Sequence, residues 1–195
     1  MRPIRPILFL DFDDVICLNS PYGGYDALEA LGKVQKGEAK VADFQNIWDV
    51  LFDKECVENL RLINDEFNPI YVISSSWTRF MNEDAVRAVL FHGGLPFVFE
   101  NIHKDWETVK ASSTLRSKEV EHWLDRHPEY KDHWVAVDDT QSGTGWIDWD
   151  TGESNNEFVV LCDVDIGLKQ FEYTKLQAAL QKRKDSFDPS LVLEA

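Results

Sequence analysis

The stretch Ile7-Leu8-Phe9-Leu10-Asp11-Phe12-Asp13-Asp14-Val15 constrains this chain more than any other. Four consecutive apolar residues read as a strand buried on both faces. The strand runs straight into three carboxylates within four positions. Ionised carboxylates are costly to bury unless a partner neutralises them, so these acids belong just past the strand's end, where a cation can meet them. In an extended chain Asp11 and Asp13, two apart, point the same way. A hard cation such as Mg²⁺ takes oxygen ligands and keeps several waters, so one or two carboxylates suffice. A carboxylate beside the metal can act as nucleophile and its neighbour as acid or base. The competing reading is a strand followed by an acidic turn, since Asp is a common turn former.

Two further apolar segments end in polar groups. Pro69-Ile70-Tyr71-Val72-Ile73 is β-branched and aromatic, and closes in Ser74-Ser75-Ser76-Trp77. A hydroxyl there can bind a phosphoryl oxygen, with Ser74 first and Ser75 as the alternative, or it can cap the helix expected over Thr78 to Leu90. Trp134-Val135-Ala136-Val137 closes in Asp138-Asp139. Before it, Val120, Trp123 and Leu124 give one apolar face to a helix that opens with Arg116-Ser117-Lys118.

Taken together these segments resemble the haloacid dehalogenase (HAD) superfamily, most of whose members are phosphohydrolases. Asp11-Phe12-Asp13-Asp14-Val15 looks like its first motif, Ser74 its second, Lys118 (or Arg116) its third, and Asp138-Asp139 its fourth. Order and type agree over about the first 140 residues. The resemblance implies Asp11 as nucleophile, Asp13 as general acid and base, and Ser74 and Lys118 as phosphate-holding groups, with Ser75 and Arg116 also facing substrate. It further implies Mg²⁺ held by Asp11, Asp138, Asp139 and the backbone carbonyl of Asp13. Asp14 reads as a shaper of the turn. The segment Arg116 to Asp139, with His127-Pro128, and Ile166-Gly167-Leu168 before an amphipathic helix, are similar to a small HAD group. Some members of that group accompany RNA-repair enzymes.

A chain of 195 residues suits a single domain. Strands alternating with helices predict an α/β fold: a HAD-like, Rossmann-type three-layer sandwich with a mainly parallel sheet. The interval between Asp11 and Ser74 exceeds one crossover, and its surplus, roughly residues 19–50, predicts a small cap-like insertion. Within it, Phe44, Ile47, Trp48 and Leu51 fall at helical spacing and read as core. Asp53 to Phe67 and Met81 to Phe91 read as helices, Leu95 to Phe99 as a short strand, and Asn101 to Thr114 as a loop. The polar stretch from Thr140 to Asn156 reads as a long loop, whose Trp146 and Trp149 can stack on a ring or pack beneath it. Glu157 to Cys162 is expected as a last strand, Tyr173 to Lys182 as a last helix, and the tail from Lys184 to Ala195 as only partly ordered.

The net charge of −15 opposes binding along a nucleic-acid backbone. It leaves open a phosphorylated small molecule, a nucleotide or a short nucleic-acid end, and a basic protein partner. No apolar stretch reaches the ~20 residues a membrane helix needs. The N-terminus lacks the features of a signal peptide, so the cytoplasm is the expected location. Cys17, Cys56 and Cys162 are scattered, and the five histidines show no HxH or HExxH spacing. Neither set points to zinc or to histidine hydrolase chemistry. The expected activity is that of a Mg²⁺-dependent phosphomonoesterase. The alternative is a non-catalytic HAD-like module that binds phosphate or protein.

Overall fold

The computed structural model describes residues 5–108 and 115–185. Five strands form one sheet: β1 (Ile7–Leu10), β2 (Ile70–Ile73), β3 (Ile102–Glu107), β4 (Trp134–Asp139) and β5 (Val159–Cys162). Their order is β3-β2-β1-β4-β5, and every adjacent pair is parallel. All four residues of β1 are buried, as a central parallel strand requires. Each of them contributes roughly 1.5–3 kcal/mol by leaving water.

Among the described residues, seven helices flank the sheet: α1 (Gly24–Gln35), α2 (Gln45–Trp48), α3 (Lys54–Phe67), α4 (Glu83–His92), α5 (Pro96–Glu100), α6 (Arg116–Arg126) and α7 (Gln170–Asp185). Strand alternation divides the core in two. Leu8, Leu10, Tyr71, Val135 and Val160 pack with apolar residues of α3, α4 and α7. Ile7, Phe9, Val72, Ala136 and Leu161 pack on the opposite face with Val120 and Trp123 of α6. Phe9 meets the Trp123 ring edge-on at 5.3 Å. The result is the three-layer α/β sandwich expected, with a sheet that is parallel throughout.

Several local expectations are corrected. Leu95 to Phe99 is a helical turn rather than a strand: Pro96 occupies the first turn of α5, where its missing N–H costs nothing. The expected loop from Asn101 contains β3 instead. This edge strand is polar, as edges commonly are, and its register with β2 shifts midway. The helix expected from Thr78 starts later. Ser76–Arg79 is a 3₁₀ turn, and Asn82 caps α4 by accepting from Ala85 N–H. The remainder of the expected loop, residues 109–114, and the tail from residue 186 lie outside the described residues.

The segment 19–50 holds α1, a 3₁₀ turn (Val41–Phe44) and α2. Ile47, Trp48 and Leu51 are buried, as their spacing indicated. Trp146 is also buried, packing against Trp134 at 6.4 Å between ring centres, so it is part of the core and presents no face to a ligand. Trp149 is exposed.

Candidate active site

From β1 the chain moves to β2 and β3 on one side, then returns to β4 on the other. The carboxyl ends of β1 and β4 therefore form the topological switch point, where ligands of open α/β sheets bind. Leu10 is in register with Ile73 and with Val137. Asp11 N–H donates to Val137 O at 3.1 Å, and Ser74 N–H donates to Leu10 O at 2.9 Å. Asp11 thus sits between Ser74 and Asp138. Two residues earlier, Phe9, Val72 and Ala136 face the α6 layer, so alternation turns Asp11, Ser74 and Asp138 toward that same layer.

Arg116, the first residue of α6, enters from there. Its Nε lies 2.8 Å from Asp138 Oδ2, Nη1 3.0 Å from Glu119 Oε2, and Nη2 3.8 Å from Asp11 Oδ1. Glu119 Oε1 also lies 3.7 Å from the half-exposed Arg79. Asp139 is held by its own turn: Gln141 N–H and Ser142 N–H donate to Oδ1 at 2.6 and 2.9 Å, and the Ser142 hydroxyl donates to Oδ2.

Asp11, Asp138, Asp139 and Glu119 are all buried, and among the described residues Arg116 is the one buried guanidinium or ammonium group facing them. The excess of negative charge has a visible consequence. Burial and the neighbouring Asp138 carboxylate raise the Asp11 carboxyl well above its usual range, and Arg116 offsets only part of this. Burial likewise raises Asp138 to about 7 despite Arg116. Arg116 itself is held charged, because the attraction of Asp138, Asp11 and Glu119 outweighs its desolvation.

A divalent cation fits these residues. Asp11, Asp138 and Asp139 each offer an oxygen within 4.8 Å of the others. Neither carboxylate oxygen of Asp11 has a hydrogen-bond donor among the described residues, and the Ser74 hydroxyl is likewise buried without a partner. Buried polar atoms are ordinarily satisfied. An all-carboxylate donor set with surplus negative charge is the chemistry that suits Mg²⁺.

Two expected site residues are not part of the three-acid cluster. Lys118 is not brought to the cluster; it is about half exposed and pairs with Glu121 at 2.6 Å on the outer side of α6. Arg116 stands in the place that Lys118 was expected to fill. The carboxylate of Asp13 is not one of the three-acid cluster. It accepts from Trp77 Nε1 at 2.8 Å and Asn19 Nδ2 at 3.1 Å on Oδ1, and from the Ser76 hydroxyl at 3.1 Å on Oδ2. Ser75 caps the 3₁₀ turn, accepting from Trp77 N–H. Asp14 adopts a left-handed backbone (φ +54°) and accepts from Asp165 N–H at 2.9 Å, tying the turn to the chain beyond β5. Glu119, Asn19, Ser76 and Trp77 were not singled out from sequence. Only the Ser74-Ser75-Ser76-Trp77 string hinted at the last two.

An α/β sandwich with a buried carboxylate cluster at its switch point defines the HAD-like class, a hydrolase or phosphatase type of fold. The chain belongs to one branch of it: residues 7–172 match the family described as the HAD domain in Swiss Army Knife RNA repair proteins. No curated protein and no solved structure gives a significant match to the chain. Among the described residues, no helix is long and apolar enough to cross a membrane.

Proposed function

We propose that this protein is a Mg²⁺-dependent phosphomonoesterase that works through a phosphorylated Asp11. The observation that carries this reading is Asp11 itself. It is buried at the sheet's switch point, and neither carboxylate oxygen has a hydrogen-bond partner among the described residues, the Arg116 guanidinium standing off at 3.8 Å, which leaves a lone pair free to attack. Mg²⁺ held by Asp11, Asp138, Asp139 and the backbone carbonyl of Asp13 would supply the positive charge that lets an anionic ester approach a carboxylate.

Asp11 attacks phosphorus, a new O–P bond forms on its carboxylate, and the bond to the leaving oxygen breaks. Asp13, protonated, passes its proton to that oxygen. It then takes a proton from the water that hydrolyses the Asp11 acyl phosphate, releasing phosphate and restoring both carboxyls. The Ser74 hydroxyl, now without a partner, donates to a phosphoryl oxygen. Arg116 favours the ionised form of Asp138, against the effect of burial, and adds positive charge beside the phosphoryl group. Lys118 has no part.

The substrate is a phosphorylated small molecule or nucleotide, or a phosphorylated RNA end, as the family's description supports. The net charge of −15 makes extended contact with a polymer unfavourable without a basic protein partner. We place its action in the cytoplasm, in keeping with three free, buried cysteines. A panel of phosphate esters, nucleotides and 3′- or 5′-phosphorylated oligonucleotides tests the reading. Turnover should need Mg²⁺, stop in chelator, and vanish in a folded Asp11→Asn protein. Activity retained by that variant would remove Asp11 as nucleophile.

A further inference from the structure

Asp13 lines a cleft of ≈ 250 Å³ together with Ser76, Trp77, Tyr25, Arg79 and Phe80. If Asp13 delivers the proton, the leaving oxygen must come within ~2.6–3.2 Å of its carboxylate. Whatever is bonded to that oxygen then occupies this cleft. The immediate neighbours of Asp13 are polar: the Asn19 amide, the Ser76 hydroxyl and the Trp77 indole N–H. These suit the hydroxyls of a sugar better than an aryl ring attached directly to the leaving oxygen.

The aromatic part of the cleft is a separate wall. Tyr25, in the first turn of α1, stacks on Phe80 with ring centres 4.3 Å apart and planes 14° from parallel. Tyr25 is nonetheless 73% exposed. Phe80 covers one face of its ring and fixes its plane, and the other face meets solvent. A large exposed ring held in place by another ring is a stacking platform whose ordering cost has already been met. Arg79, half-exposed, gives the rim the positive charge that an anionic ester needs. The approach of α1 to the cleft depends on Gly24, where a Cβ would fall 2.6 Å from the Trp77 ring.

We propose that this cleft is the leaving-group subsite and that it takes a nucleoside, with the sugar beside Asp13 and the base stacked on Tyr25. The inference rests on the phosphomonoesterase reading and names its substrate class. The volume is below the ~300–1,000 Å³ usual for drug-sized ligands, so the cleft holds one nucleoside, and any longer chain continues into solvent.

The test compares kcat/KM for adenosine 3′- and 5′-monophosphates with that for the corresponding ribose phosphates and for O-phosphotyrosine, in Mg²⁺. The better nucleotide should exceed its base-less counterpart by roughly 5- to 100-fold, the range expected for one stacked base. That ratio should collapse toward one in Tyr25→Ala and return in Tyr25→Phe. A ratio near one in the unsubstituted protein, an undiminished ratio in Tyr25→Ala, or a preference for O-phosphotyrosine would overturn the proposal. A second arm needs no turnover: calorimetric titration of adenosine monophosphate into the Asp11→Asn protein, with and without Tyr25→Ala. Weaker binding by a similar factor in the double variant supports the subsite, and equal binding refutes it. Failure of the phosphomonoesterase reading shows differently, as no turnover of any ester by the unsubstituted protein.

Discussion

Arg116 and Lys118 lie two residues apart, and the phase of one helix decides which serves the site. Val120 and Trp123 face the sheet, and Arg116 precedes them by four and seven residues, on the same stripe. Lys118 is offset by two and reaches Glu121 on the solvated stripe. The periodicity that marked α6 as amphipathic therefore also contained the choice between the two cations; what sequence lacked was the site's position relative to the apolar face. The consequence is asymmetric. Arg116→Met leaves Asp138 buried without its cation and Glu119 with only the half-exposed Arg79, a loss of about 3–5 kcal/mol. It should also cut turnover by roughly 10²–10³-fold. Lys118→Met removes only a surface pair and should change stability by less than about 1 kcal/mol. Urea unfolding and kinetics on the two variants check this, and comparable losses in both would contradict it. Asp13 shows the other limit of sequence reading: its partners Asn19, Ser76 and Trp77 come from two distant segments, and nothing local announces them.

At the scale of elements, the strands that carry the site were legible because β1, β2 and β4 are apolar runs ending in polar residues. β3 was not, because an edge strand needs no such run, and its polar His103, Lys104 and Asp105 look like loop. α5 was misread because apolar Leu95 to Phe99 fits a strand by composition, and only Pro96 argued otherwise. The turn between β5 and α7 has a structural task that its sequence only outlined. Leu168 N–H donates to Val15 O at 2.8 Å, and Asn59 Nδ2 donates to Leu168 O at 2.9 Å. This turn thereby braces the loop that follows Asp11. Gly167 makes it possible, with φ at +80° and room for no side chain: a Cβ would lie 2.8 Å from Val15 O and 2.9 Å from Cys56 Sγ. Gly167→Ala should therefore destabilise the fold by about 1–3 kcal/mol and lower turnover as the Asp13–Asp14 turn shifts. Thermal unfolding together with kcat measures both, and an unchanged Tm would show the turn to be more pliable than its contacts indicate.

For the whole molecule, the buried acids link stability, pH and metal. Folding raises the carboxyls of Asp11 and Asp138 above their ordinary value near 3.8. A raised group contributes stability that is fully present below the unfolded pKa and is lost as pH climbs through the folded one. For Asp138 that loss extends to about 7. In chelator the Tm should fall between pH 5 and 8, and Mg²⁺ should flatten or reverse the trend by binding the ionised form. Identical pH profiles with and without Mg²⁺ would mean that the acids do not hold the ion. Sequence made the sandwich and the strand-end residues Asp11, Ser74, Asp138 and Asp139 legible because apolar runs there end in polar groups. It could not show the acidic excess around Arg116, which exists only once β1, β4 and α6 meet. The proposed function turns on phosphorylation of Asp11. Quenching the enzyme during turnover of a nucleotide monophosphate, reducing it with borohydride and sequencing the peptides by mass spectrometry tests it directly. The expected result is Mg²⁺-dependent conversion of residue 11, and of no other acid, to the homoserine that reduction of an acyl phosphate leaves. Steady turnover with Asp11 unmodified in every quenched sample would contradict it.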